Sequence, residues 1–153
     1  MTAVTVEEAT DLTPALLEAL GHLVPQLSQS AAPIGETELA EMVASPATRL
    51  LVARLARAAG SPGEPIVGTL TLVLFRIPTG VRGWIEDVIV DETARGLGVG
   101  EALTAEAVRL AYDAGARTLD LTSRPSREAA HRLYSKLGFE VRDTSVYRHK
   151  QQR

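Results

Sequence analysis

Apolar residues recur along this chain in two rhythms, and the switch between them marks the elements. Residues 3–8 alternate well enough for a first strand. Thr13 then stands as a helix N-cap with Pro14 at the first helical position, and Leu16, Leu17, Leu20, Leu23 and Val24 form a helical face that Pro25 is expected to end. Residues 26–35 hold Ser28, Ser30 and Pro33 and read as a loop. Residues 36–44 suit a short second helix, stopped by Ser45 and Pro46. Residues 48–55 and 66–75 are strands, joined across residues 57–65 by a hairpin connection rich in glycine and proline. Pro78, Thr79 and Gly80 turn the chain into another strand over residues 81–90. Three successive strands on short turns predict an antiparallel meander.

Ile85, Val88, Ile89 and Val90 make that last strand dense in β-branched residues. Residues 91–94 are polar and turn-like, and Arg95, Gly96, Leu97, Gly98, Val99 and Gly100 follow. Beyond them Val99, Ala102, Leu103, Ala107, Leu110, Ala111 and Ala114 recur at helical spacing up to a stop near Gly115. A strand over residues 117–122 is reached through that helix and should run parallel to the strand before it. A helix over residues 127–137 carries Ala130, Leu133, Tyr134 and Leu137 on one face, and Gly138 caps it. Residues 139–141 and 144–149 read as a closing hairpin through Arg142 and Asp143, with a polar tail after it. The predicted order is β-α-α-β-β-β-α-β-α-β-β. It gives one α/β domain over residues 1–153, a mixed sheet with helices on both faces.

A glycine-rich loop at a helix N-terminus suits an anion, because the first backbone N–H groups lack intrahelical partners and the helix dipole is positive there. Three anion-loop patterns compete, beside a plain strand-to-helix turn with no ligand. A P-loop requires Lys and then Ser or Thr after its last glycine, whereas Glu101 and Ala102 follow here. A Rossmann fingerprint requires G-x-G-x-x-G, and the spacing here is G-x-G-x-G. The third pattern, Arg-x-x-Gly-x-Gly, is met by Arg95, Gly98 and Gly100. It resembles the coenzyme A pyrophosphate loop of the GCN5-related N-acetyltransferases (GNAT family), which likewise follows a central strand and opens a helix. A second stretch, Ala130 with Tyr134, Gly138 and Phe139, resembles that family's other local signature.

The resemblance covers residues 81–148 and implies a GNAT-like, mostly antiparallel central sheet. It implies acetyl transfer from acetyl-CoA to a primary amine of a small molecule or peptide, by direct attack. Residues 95–100 would then bind the pyrophosphate, and the backbone of Val88, Ile89 and Val90 the pantetheine arm and thioester. Tyr134 would protonate the departing thiolate, which its pKa of about 10 against a thiol's of about 8.5 allows. The two-helix region after the first strand would overhang the acceptor, and a homodimer is common in the family, with the closing hairpin a candidate interface. One departure is Arg127, where the family often has Asn seven residues before the Tyr; an Arg accepts no hydrogen bond, so it is carried as a cofactor contact only. The rival from another class is a non-catalytic acyl-CoA-binding or regulatory module of the same fold.

Glu86 and Asp87 interrupt the strand before the loop, and a charge in a central strand is costly unless solvated or paired. In the functional reading one of the two lines the acceptor cleft; Glu86 is taken as the base or amine contact. Carboxylates that merely reach water are the plain alternative. The run Ile85-Glu86-Asp87-Val88 also resembles the glucosamine-phosphate N-acetyltransferase branch.

Composition narrows the picture further. At 153 residues and a net charge of −3 the chain suits one soluble domain with no call to bind nucleic acid. It has no cysteine, hence no disulfide or thiol nucleophile, which is compatible with a cytoplasmic location. No signal peptide or membrane-spanning run is read. His22, His131 and His149 lack ligand spacing, so no metal is expected and each should be a surface or satisfied histidine.

Overall fold

The apolar alternation becomes a five-stranded sheet in a computed structural model that describes residues 3–56 and 63–152. Strands β1 (Val4–Glu8), β2 (Thr48–Leu55), β3 (Ile66–Ile77), β4 (Gly80–Val90) and β5 (Ala116–Asp120) lie side by side in chain order. The first three pairings are antiparallel and β4 with β5 is parallel, as the intervening helix requires. Most of the connection expected over residues 57–65 lies outside the described residues. The chain divides into two compact units, Met1–Thr122 and Ser123–Arg153. The first holds the whole sheet with α1 (Pro14–Leu27), α2 (Glu36–Ala44) and α3 (Val99–Asp113); the second holds α4 (Glu128–Lys136).

Residues paired across a sheet share a face. Leu50 pairs with Thr71 and Val52 with Thr69, and Leu50 and Val52 form one buried cluster with Leu16 and Leu20 of α1 and Leu39 of α2. The other face carries α3. A Cβ placed on Gly68 would lie 2.7 Å from Val99 Cγ1, 3.1 Å from Leu103 Cδ1 and 3.1 Å from the Ile89 carbonyl. Helices therefore cover both faces, and fully buried leucines such as Leu39, Leu70 and Leu103 contribute about 1.5–3 kcal/mol each. Gly68 lets the first turn of α3 approach the sheet. Gly68→Ala should destabilise the protein by about 1–3 kcal/mol, read as a lowered midpoint in urea unfolding with an unchanged slope.

Two expectations are corrected. Pro25 does not end α1, which runs on to Leu27 with the proline inside it. A proline near a helix end gives up one hydrogen bond, and the last turn still closes through Ser28 N–H to the Val24 carbonyl at 3.0 Å. The closing hairpin is absent too. No strand follows α4 among the described residues, and Val141 and Tyr147 are 91% and 92% exposed. Their side chains bury nothing, and a lone two-stranded hairpin without an apolar face to cover is marginal in water.

Candidate functional site

The site of interest is built from the end of β4 forward. Thr69 pairs with Ile89, but Thr71 pairs with Glu86, so one residue of β3 faces two of β4, Asp87 and Val88. That is a β-bulge, and the bulge explains why Asp87 sits at φ 47°, the one non-glycine residue with positive φ among those described. Glu86 and Asp87 both emerge exposed, although strict alternation would send them to opposite faces. Trp84 Nε1–H donates to Glu86 Oε1 at 2.8 Å and orients that carboxylate. Partial burial and then the neighbouring Glu86 charge push the Asp87 carboxyl above its ordinary pKa.

On the other side of β4 the parallel pairing runs from Val81 with Ala116 to Trp84 with Asp120 and goes no further. Val88, Ile89 and Val90 thus have β3 on one side and, among the described residues, no paired strand on the other. Such an edge presents main-chain N–H and C=O groups to a ligand able to pair with them.

After Val90 the chain turns sharply. Asp91 is buried; its Oδ1 accepts from Thr93 N–H at 2.9 Å and from the Thr93 hydroxyl at 2.7 Å, capping the short 3-10 turn Glu92–Ala94. These bonds hold the Asp91 carboxyl below its ordinary pKa against the opposing effect of burial, with a smaller contribution from His22. His22 Nε2 lies 2.7 Å from Asp91 Oδ2, a distance that requires Nε2 to carry the proton, since a carboxylate only accepts. Gln26, one turn along α1, takes the Glu92 N–H on its Oε1 at 2.9 Å.

The loop itself is pinned at Ala94 and Val99, each 1% exposed, while Arg95, Gly96, Leu97 and Gly98 between them face solvent. Gly96 and Gly98 have φ 77° and 83°, a region that L side chains disfavour. Nothing lies within 4 Å of where a Cβ on either would stand, so a ligand can approach that backbone. Gly98 is the N-cap of α3 and offers no side-chain cap. Ala102 N–H is the first to return to the Gly98 carbonyl, at 3.0 Å, which leaves the N–H groups of Val99 and Gly100 at the head of the helix without an intrahelical acceptor. Thr104 Oγ1–H donates to the Gly100 carbonyl at 2.7 Å and steadies this first turn. Arg95 adds an exposed guanidinium at the loop entrance. The whole is an exposed, donor-rich loop at a helix N-terminus, chemistry that suits an anion.

The second unit holds Tyr134 and Arg127. Tyr134 packs edge-on against Phe139, with ring centroids 5.7 Å apart at 62°, and its carbonyl accepts the Phe139 N–H at 2.9 Å. Gly138, at φ 89°, makes that return. Burial pushes the Tyr134 hydroxyl above its ordinary pKa, and the positive charge of Arg127 works the other way. Arg127 is the N-cap residue of α4, exposed, and lines an open depression of about 430 Å3 with Glu128 and Arg132. His131 Nε2 meets the Arg124 carbonyl at 2.8 Å.

Of the residues singled out in the sequence, Glu86, Val88, Ile89, Val90 and the 95–100 loop are gathered at one end of β4. Sequence reading missed the part played by His22, Gln26 and Asp91. The only local hint is that His22 and Gln26 are spaced i, i+4, on one face of a helix; their partners lie 69 and 66 residues away. Among the described residues there is no group of three or more side chains suited to a metal ion, and no helix long and apolar enough to cross a membrane.

Comparison with known proteins bears on the family and the fold. Residues 19–139 match the model of the acetyltransferase (GNAT) family, a stretch that crosses the boundary between the two units. The chain is 32% identical over 152 residues to a glucosamine 6-phosphate N-acetyltransferase of Trypanosoma brucei brucei, covering 92% of this chain and 90% of that protein. An acetyltransferase structure from Trypanosoma brucei superposes with a TM-score of 0.76 at 24% identity, covering 97% of this chain and 100% of the other. The aminoglycoside N-acetyltransferase AAC(6')-Iy in complex with CoA has the same fold, with a TM-score of 0.76 at 16% identity and coverage of 99% and 97%.

Proposed function

We propose, from the premise that this chain belongs to the GNAT acetyltransferase family and is an acyltransferase, that it moves the acetyl group of acetyl-CoA to the primary amine of a small molecule. The observation that carries this reading is the open, left-handed glycine loop feeding α3 at the end of a strand whose pairing has stopped. In it, residues 95–100 hold the pyrophosphate and the free edge of Val88, Ile89 and Val90 holds the pantetheine arm. Arg127 is a further contact to the coenzyme phosphates. The name of the trypanosomal relative makes glucosamine 6-phosphate the first acceptor to try. The cytoplasm is the proposed setting, with which a chain free of cysteine is compatible.

The reaction we assign is a direct attack. The amine nitrogen forms a bond to the thioester carbonyl carbon, and a main-chain N–H of β4 stabilises the oxygen as it gains charge. The C–S bond then breaks, and the sulfur takes the proton of the Tyr134 hydroxyl. The proton lost from nitrogen goes to a carboxylate of the bulge, directly or through water. Glu86, held by Trp84, is the amine contact; Asp87, with its raised pKa, is the better matched proton acceptor.

Thermal unfolding with and without acetyl-CoA tests the coenzyme assignment. At about 100 times its Kd a ligand adds roughly 2.7 kcal/mol of stability, so the wild-type midpoint should rise clearly. Gly98→Glu places a side chain and a negative charge at a φ of 83° and should abolish the rise. A wild type that does not shift sinks the reading. A wild type that shifts yet releases no CoA thiol with any amine tried leaves a binding module instead of an enzyme.

A further inference from the structure

We infer that His22 and Gln26 are positioning residues that set the heading of the coenzyme loop from α1, acting through Asp91 and the Glu92 main chain. The inference rests on the proposed coenzyme role of residues 95–100. Hydrogen bonds from β3, the 3-10 turn and α1 converge on the two residues that join β4 to the loop. Asp91 N–H donates to the Val67 carbonyl at 2.8 Å, which ties the junction to β3. Asp91 Oδ1 is spent on Thr93. Asp91 Oδ2 takes His22 Nε2–H at 2.7 Å, and Glu92 N–H goes to Gln26 Oε1 at 2.9 Å. The bonds to Val67 and Thr93 fix where the junction is; those to His22 and Gln26 fix its rotation relative to α1.

That rotation matters because little else restrains the loop. Between Ala94 and Val99 the chain is exposed and packs no side chain into the core. Its course is determined at its two ends, the helix head at one and the Asp91–Glu92 junction at the other. A pyrophosphate needs several N–H groups to converge on it, so a small turn of the junction costs affinity without touching the ligand.

The two side chains are also poor candidates for a purely structural role. The His22 side chain is 66% exposed and Gln26 lies at the surface, while α1 is held to the sheet by Leu16, Leu20 and Leu23. The imidazole thus adds little to the core. Its geometry is nevertheless well defined. Gln26 Nε2 donates to the His22 carbonyl at 3.4 Å, which leaves its Oε1 turned to Glu92 N–H; its approach to His22 Nε2 is a contact between two donors and no hydrogen bond.

The test is the dissociation constant of acetyl-CoA by titration calorimetry, with the unfolding midpoint measured on each protein. His22→Leu removes the donor and keeps a helix former. His22→Gln keeps an amide N–H near the place of Nε2, and Gln26→Leu removes the acceptor for Glu92. His22→Leu and Gln26→Leu should each weaken acetyl-CoA roughly ten-fold, with His22→Gln restored to within about three-fold of wild type. In steady state the loss should appear in KM for acetyl-CoA, with kcat within about two-fold. Variants that melt earlier but bind acetyl-CoA as wild type does would overturn the inference alone. So would a fall in kcat at unchanged KM, or a Gln variant as weak as Leu. If His22→Leu does not fold, the Gln26→Leu affinity decides. A wild type with no heat of binding would remove the coenzyme reading and this inference together.

Discussion

Tyr134→Phe should lower turnover by about 10²–10⁴-fold while leaving the fold and the affinity for acetyl-CoA near wild type. The substitution keeps the ring, and with it the edge-on contact to Phe139. It removes only the hydroxyl. As the proposed acid, that hydroxyl must hold its proton until the thiolate departs, and burial favours the neutral phenol. The direction of this shift fixes the pH behaviour. A tyrosine raised above about 10 stays protonated across the whole neutral range. Loss of the Tyr134 proton should therefore lower the wild-type rate only on the far alkaline side, and the Phe variant should lack that limb. Arg127 lowers the same pKa, so Arg127→Gln should move the limb upward. Single-turnover measurement of CoA release separates this chemical step from product release. If the Phe variant keeps its rate, Tyr134 is a packing residue and water or another donor supplies the proton.

The parts of this protein that were legible in its sequence are those fixed by local geometry. The meander was readable because its strands are rich in apolar and β-branched residues and the connections between them carry glycine and proline. The loop was readable because Gly96 and Gly98 occupy positions with φ near 80°, which a residue with a Cβ avoids. What failed or was missed is set by partners far along the chain. Pro25 would end an isolated helix, yet the turn around it persists, with Gln26 fastened to Glu92. The alternation of residues 139–149 is strand-like, but Val141, Val146 and Tyr147 find nothing to cover. The bulge at Asp87 belongs to the register between β3 and β4 and has no signature in either strand alone. The same holds for His22 and Asp91, each unremarkable until the fold brings them to 2.7 Å.

Asp87→Asn should separate activity from stability. Two features set Asp87 apart in the folded protein. Its φ of 47° is one that only glycine, asparagine and aspartate adopt readily. Its carboxyl is partly desolvated beside Glu86, which raises its pKa. A carboxyl whose folded pKa lies above its unfolded value of about 3.9 carries no penalty below that pH. The penalty appears as pH rises through the folded pKa and is complete at neutrality. Asparagine tolerates the same backbone and has no charge to desolvate. The variant should thus be at least as stable as wild type at pH 7 and indistinguishable from it near pH 3, as read from urea unfolding at both values. Activity should move the other way. With no carboxylate to take the amine proton, kcat/KM for the acceptor should fall by about 10²-fold or more, and the acetyl-CoA affinity should hold. A residue that costs stability and contributes nothing to the reaction would give a stabler variant with full activity; that result would return the role to Glu86 alone. Loss of both stability and activity would mean that the carboxylate is part of the bulge's own support, and that neither residue has been assigned correctly. The expected split, a stabler protein that no longer transfers acetyl groups, is the mark of strain held in place for function.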